Sequence, residues 1–448
     1  MRVASRANAT LAYLALVLIV GGASAAGYAA NLILQLLGAV LIGWSLWQTP
    51  PRATGLRWFA LALGLLALVQ FVPLPPALWT ALPGRAGVAG GFALAGAPLP
   101  WLTVSLAPWN SLASLSWWIP ALAMLVAMRA PGSPASRDAM RAVVGVAIVS
   151  VVLAGLQQTT GTGYIYRITN YGLGTGFFAN SNHQGSFLLA SLALLSGLVA
   201  AERSGRRRRR RTGDILAAAA AAVLVAGVLA SGSVACIGLL LPTGFACALI
   251  VWPSRRRWTP LVLGGGLAIT VAVLALVVFG PLTNDLTGDA TLPGMGRRAY
   301  LLTGIKVVAD FAPLGSGLGT FVDVYRLYEN HNLIGTTYVN HAHDDLLELL
   351  IETGVLGLAA VAAFVAWYAS RAWRLWSGKL AQPVAQAASV AIAIELLHSL
   401  VDYPLRTAAM STVVALACVL LVRAPDAPKA SGRRQARQGE SERELVRI

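Results

Sequence analysis

Apolar residues come in long blocks along this chain, separated by short polar or Gly/Pro-rich stretches. Twelve blocks read as helices, at 9–23, 30–47, 56–72, 110–128, 142–158, 184–200, 214–230, 234–252, 259–280, 354–371, 384–401 and 407–423. A helix needs about 20 such residues to cross a bilayer, and several of these blocks stop at Gly or Pro. Three connections are long, at 73–109, 161–182 and 281–353. At about 70 residues the third is too long for a structureless connection. The pattern therefore predicts an all-α polytopic membrane protein of about 12 spans, a single transmembrane domain over 1–423. A large helical loop subdomain, 281–353, lies between helices 9 and 10, and a Pro-, Arg- and Glu-rich tail, 424–448, is expected to be disordered.

Composition agrees with a membrane protein. The chain is 57% hydrophobic and 12% charged, against about 25% charged for a soluble domain. Cys236, Cys247 and Cys418 all lie in apolar blocks without CxxC spacing, so neither disulfides nor zinc are expected. The first eight residues are basic and 11–20 is apolar. That pattern suits a signal peptide, but with so many blocks following, an uncleaved first helix is expected.

The net charge of +16 matters through its placement. With the N-terminus inside, 27 of the 34 Lys and Arg fall in inside segments and 7 outside. The positive-inside rule then puts both termini in the cytoplasm, with an even number of spans. The run from Arg206 to Arg211 reads as a topology anchor beside anionic lipid rather than a nucleic-acid site. Acids are distributed differently: nine of eighteen lie between Asp285 and Glu352, on the outer side. His183, His331, His341, His343 and His398 map to the outer side or an outer helix end as well. The outer face is the chemically busy one.

The densest cluster is Asn340-His341-Ala342-His343-Asp344-Asp345-Leu346-Leu347-Glu348, continuing to Glu352 and Gly354. A helix beginning near His343 puts Asp344 and Asp345 in its first turn, where acids are favoured. Asp344 and Glu348 then share an i,i+4 stripe. A histidine beside a carboxylate suits proton abstraction near neutral pH; the same His-x-His suits a metal, or a purely structural polar network.

Upstream, Arg297 and Arg298 open an amphipathic pattern with Leu301, Leu302, Ile305 and Val308 at helical spacing. Two cations at a positive helix end call for a bound anion; alternatively they snorkel to lipid phosphate. In Pro313-Leu314-Gly315-Ser316-Gly317-Leu318-Gly319 the glycines would let amides approach a phosphate, or form a plain turn. Ser181 or Asn182 caps the sixth span. Glu395 lies inside the eleventh, a functional position by default, with Arg406 or His398 as its simplest partner. Trp79, Trp101 and Trp109 of the first loop are expected at the membrane interface. The second loop carries Tyr164, Tyr166, Arg167 and Tyr171.

Four stretches resemble the O-antigen ligase and O-antigen polymerase superfamily of bacterial inner-membrane proteins. They are the Gly-x-Phe-x-Asn-x-Asn-His element at 176–184, Arg298 with the Pro-Leu-x-Gly-x-Gly-Leu-Gly segment at 310–321, His-Ala-His-Asp-Asp at 341–345, and His-Ser-Leu-Val-Asp at 398–402. The likeness covers about residues 140 to 425. Asp344 stands for the family's usual Asn, Leu346 for its Tyr and Ser181 for an Arg; Ser231-Gly232-Ser233-Val234 lacks the Arg of a Ser-Arg-Gly element.

The resemblance implies an inverting glycosyltransferase at the periplasmic face, taking a glycan from undecaprenyl diphosphate. The acceptor is lipid A-core in the ligase-like reading, a growing O-antigen or exopolysaccharide chain in a polymerase, and a protein hydroxyl in an oligosaccharyltransferase. His343, or His341 in another register, takes the acceptor proton, and Asp344 or Asp345 orients the ring. Arg298, then Arg297 and Arg406, hold the donor diphosphate. Asn182, His183, Asp402 and His398 are candidates for the substrate groove. No cofactor, metal or nucleic acid is implied, and membrane lipids are partners. The competing class is a transporter of lipid-linked sugar, expected to carry midplane ionisable groups or broken helices; nearly charge-free spans favour the enzyme. An envelope scaffold is a third class, in which single histidine changes would leave catalysis untouched.

Overall fold

The computed structural model describes residues 2–24, 28–48, 55–204, 211–252, 264–265, 268, 272, 296–330, 332, 338–378 and 380–423. Most of the 259–280 block, the first part of the third loop, His331, Lys379, Arg206 to Arg210, Arg255 to Arg257 and the 424–448 tail lie outside the described residues.

The described residues are mostly helical. Its first part holds α1 (Arg2–Val20), α2 (Ala29–Gln48), α3 (Gly55–Val69), β1 (Pro73–Leu74), α4 (Pro76–Trp79), α5 (Ala86–Leu94) and β2 (Leu102–Thr103). Then come α6 (Pro108–Ser116), α7 (Ile119–Ala127), α8 (Ser136–Thr160), α9 (Ser181–Ser204), α10 (Arg211–Ala230) and α11 (Val234–Val251). After these come α12 (Arg297–Phe311), α13 (Phe321–Tyr325), α14 (Asp345–Ser377), α15 (Pro383–His398), a 3-10 turn (Pro404–Arg406) and α16 (Ala408–Val422). The two strands pair antiparallel, Pro73 with Thr103 and Leu74 with Leu102.

Seven of these helical segments are long and apolar enough to cross a membrane, with α6 and α7 counted as one, and three shorter apolar helices accompany them. Each falls on one of the predicted blocks. The third block is α3, fifteen residues long.

The bundle is built around α9. Within its membrane window 94% of residues are buried, and it packs against α8, α10, α11 and α15. Its small residues explain the close approach, since Gly185 faces Cys236 and Gly197 faces Ala387 with no room for a Cβ. Leu14, Leu18, Met124, Met140, Phe187, Leu188 and Leu416 fill the core around it. On α2 and α10 most side chains face outward, as lipid-facing surfaces do.

A second core lies at the histidine-bearing end. Val307, Phe311, Phe321, Val324, Tyr325, Ala342, Leu347 and Ile351 form it. The described part of the third loop thus carries secondary structure and an apolar centre of its own. Its helix α12 is rotated from the predicted stripe. Gly304, Val307 and Phe311 are buried, while Leu302 and Ile305 are about half exposed, at 52% and 51%. The rotation follows from Gly304, which admits the Leu347 side chain where any larger residue would collide.

The glycine segment that follows is not an open phosphate cradle. Ser316 N–H donates to the Ile351 carbonyl (3.0 Å) and Gly317 N–H to the Glu352 carbonyl (2.8 Å). Leu318 N–H donates to Gln70 Oε1 and Gly319 N–H to Glu352 Oε1, both at 2.8 Å. The glycines let the loop dock on α14 at its break, Gly354, where φ is 59° and ψ is −149°.

Candidate active site

Two polar clusters meet at the histidine-bearing end. The first is centred on Asp402, in the turn between α15 and α16 and fully buried. Asn182 Nδ2 donates to its Oδ2 at 2.6 Å, and the Tyr403 N–H donates to Oδ1 at 2.8 Å. His183 Nε2 lies 3.6 Å and His343 Nδ1 3.9 Å from Oδ1. Arg297 Nη2 lies 3.8 Å from Oδ2, while Arg297 Nε donates to the Val401 carbonyl at 3.0 Å. Burial alone would raise this carboxyl; the neighbouring imidazoles of His183, His343 and His398 hold it well below the usual carboxylate value. Asp402 is thus an anion at neutral pH.

The second cluster hangs on α14. His341 Nδ1 lies 2.9 Å from Glu348 Oε1, and the Ala342 N–H donates to Glu348 Oε2 at 2.8 Å. Arg406 reaches three carboxylates: Glu348 and Glu352 at 3.1 Å each and Asp345 at 3.4 Å. Burial works against its charge, and the three carboxylates more than restore it. Ser399 Oγ donates to Asp345 Oδ2 at 2.8 Å, and the Asp345 N–H donates to the Ser399 carbonyl at 2.9 Å. Positions 345, 348 and 352 share one helical face, so a single guanidinium ties α14 to the α15–α16 turn.

Tyr403 joins the clusters. Its ring centroid is 4.2 Å from that of His341 and 5.0 Å from those of His343 and His183. Tyr300 of α12 stacks on His343 at 5.4 Å, the planes 23° apart. His343 has φ +53°, the one positive value outside glycine among the described residues. Such backbone conformations cost of order 1–3 kcal/mol and gather at functional sites.

The sequence-predicted residues fall into distinct places. His341 and His343 come together with Asp402, His183, Asn182 and Arg297. The carboxylates facing the imidazoles are Glu348 and Asp402 rather than Asp344 and Asp345. Asp344 is the N-cap of α14, its side chain accepting from the Leu346 and Leu347 N–H groups at 2.9 and 3.0 Å. His183, His398 and Asp402 are each 0–1% exposed, so they form the floor of the site and Asn182 its partly open edge. His398 is turned to Cys236, its Nε2 4.0 Å from Sγ. Glu395 is bonded to neither Arg406 nor His398; it accepts from Ser186 Oγ of α9 at 2.6 Å. Arg298 is exposed and has no protein partner among the described residues. Glu348, Glu352, Tyr300 and Tyr403 were not singled out from sequence as site residues. The i,i+4 acid stripe was the available signal for Glu348; the rings had none. Among the described residues no three His, Cys, Asp or Glu side chains converge as metal ligands would.

Among the described residues, a mostly helical fold with seven candidate membrane spans and this cluster at one end defines a multi-pass membrane protein with an end-on polar site. The family model described as O-antigen ligase matches residues 218–362, a stretch that holds α12, His341, His343 and the first part of α14. The match spans about a third of the chain; over that stretch the chain is similar to the O-antigen ligase family, which supports a membrane glycosyltransferase of the ligase or polymerase type. A search of curated proteins returned no match.

Proposed function

We propose that this protein transfers a glycan from undecaprenyl diphosphate to an acceptor hydroxyl at the periplasmic face of the inner membrane, with lipid A-core as the acceptor. One observation carries the reading. Arg298 is an exposed cation, unpaired among the described residues, beside Arg297, and Arg297 is anchored to the same Asp402 that faces His343. A cation clamp and a base are thereby held on one support.

The acceptor O–H gives its proton to His343 Nε2 as its oxygen attacks the anomeric carbon. The bond from that carbon to the diphosphate oxygen breaks, and undecaprenyl diphosphate leaves with the charge. A single displacement inverts the anomeric centre. Asp402, facing Nδ1, orients the ring and stabilises the imidazolium that forms; a positioned base contributes about 10²–10⁴-fold. Arg298 and Arg297 stabilise the departing diphosphate. Arg406, already shared among three carboxylates, holds α14 in place.

The test is a reconstituted assay in nanodiscs, with an undecaprenyl-diphosphate glycan and either lipid A-core or a second donor molecule. Wild type should glycosylate lipid A-core with or without EDTA. His343→Ala and Arg298→Ala should each lower the rate by about 10²-fold or more. Longer chains on the donor lipid would instead make it a polymerase. Full activity in His343→Ala would remove the base assigned here, and glycan-lipid movement without transfer would make the protein a transporter.

A further inference from the structure

The first long loop, 73–109, has no part in the site above, yet it buries a charge. Between residues 80 and 100 the sole buried side chain is Arg85, 2% exposed. Its Nη2 donates to the Val104 carbonyl at 2.5 Å. Its Nε and Nη1 are buried and have no hydrogen-bond partner among the described residues. No carboxylate pairs with it among the described residues. Burial pushes the guanidinium down to about 10, which leaves it charged at neutral pH. A buried unpaired charge is among the costliest features a fold can hold, so a fold that retains one implies a missing counter-ion.

The surroundings indicate where that ion comes from. Arg85 immediately precedes α5, a nine-residue helix with no buried residue. The first amides of such a helix have no intrahelical acceptor and favour anions. The segment 86–99 is held lightly: Phe92 meets the Trp79 ring at 6.5 Å, and none of its side chains is buried. The loop around it turns large apolar groups outward: Leu94 is 92% exposed, Trp109 81%, Trp101 64% and Leu78 56%. Tryptophans placed so lie at the level of lipid headgroups. Below the loop, Gly84 abuts the ring of Phe311 at the far end of α12, about 20 Å along that helix from Arg298.

We propose that Arg85 is the centre of a second, separate anion site, which takes a phosphate-class oxyanion seated under the α5 segment. The oxyanion is supplied by a phospholipid headgroup or by free phosphate. This inference does not depend on the glycosyl-transfer reading.

Thermal unfolding of the purified full chain in neutral detergent tests it. Wild type, Arg85→Met and Arg85→Lys are compared with added phosphatidylglycerol, phosphatidylcholine, inorganic phosphate, or chloride at matched ionic strength. Phosphatidylglycerol or phosphate should raise the wild-type midpoint by about 2 °C or more at saturation. Arg85→Met should not respond, and Arg85→Lys should respond more weakly. A response to phosphatidylglycerol alone identifies a headgroup as the source; an equal response to inorganic phosphate identifies a free oxyanion. Arg85→Met should also unfold above wild type without anion, having lost an unpaired charge, and should lose that lead once anion is added. Equal shifts in wild type and Arg85→Met, or a lead for Arg85→Met under every condition, would overturn the proposal. Because the readout is unfolding, failure of transfer activity would leave it unaffected.

Discussion

Asp402 shows what a single residue decides at this site. Its motif was visible in the sequence, but its partners were not, because Asn182, His343 and Asp402 are far apart in the chain: the packing of α9 against α15 brings Asn182 to Asp402, and the contacts of Asp345 with Ser399 and Arg406 bring His343 there. Sequence adjacency pointed to Asp344 and Asp345 as the orienting carboxylates. Helix capping claims Asp344, and the Arg406 pair claims Asp345. Two consequences can be measured for Asp402→Asn. The anion beside His343 favours the protonated imidazole; its removal should move the acid limb of the pH–rate profile to lower pH, with a lower maximal rate. A profile that keeps its position would mean that Asp402 does not act on the base. The second consequence concerns stability. A carboxyl held below its usual 3.8 in the folded state contributes stability that is complete above that value and lost as pH falls through the folded one. Asp402→Asn should therefore cost about 3 kcal/mol at neutral pH, with the difference narrowing as the pH is lowered. Chemical denaturation at pH 7 and at pH 3 would measure how far the difference narrows.

Among the elements, α14 carries the most information and was the least legible. The sequence placed its start correctly, because acids following a polar run mark a helix N-terminus. Gly354 was marked as the start of the 354–371 block, but nothing marked that the helix begun at Asp345 runs on through it with a break. In the structure the break turns the helix so that Glu352 faces Arg406 and its carbonyl receives Gly317. The same docking explains why the glycine segment 315–319 spends its amides on α14 and Gln70 rather than on a ligand. The outward turn of Leu302 and Ile305 has a similar cause: periodicity alone does not say which side of α12 its neighbour occupies, and Gly304 does. Gly354→Ala would place a Cβ against the Pro313 carbonyl at a φ that alanine adopts at a cost. It should destabilise the protein by at least about 2 kcal/mol and weaken transfer through the Glu352–Arg406 pair. Gly244→Ala, with open space around it, is the control and should unfold as wild type does. A Gly354→Ala protein with unchanged unfolding and activity would mean that the break is incidental.

At the scale of the whole molecule, the apolar blocks were readable because each is as long as a bilayer is thick, a constraint local sequence satisfies by itself. Sidedness rests on a sum over the chain. The arginine-rich ends of the spans hold the Arg141–Glu202 and Arg203–Asp214 pairs, and the histidines gather at the other end. If the positive-inside rule orients the chain, the Asp402 site faces the periplasm, where a lipid-linked glycan donor and lipid A-core would meet. Single cysteines test this directly in a background where Cys236, Cys247 and Cys418 are replaced by serine. Trp101→Cys lies in the first long loop at the histidine end, and Trp373→Cys near the arginine-rich end of α14; the native side chains are 64% and 73% exposed. A thiol reagent that cannot cross membranes should label Trp101→Cys in spheroplasts at once, and Trp373→Cys only after permeabilisation. The reverse pattern would turn the molecule over and place Asp402, His343 and Arg298 in the cytoplasm. Transfer at the periplasmic face would then be excluded whatever the purified protein does in a nanodisc, because both faces of a nanodisc are open to substrate. Cell labelling and the reconstituted assay are therefore independent: one fixes which compartment the site faces, the other which reaction it performs.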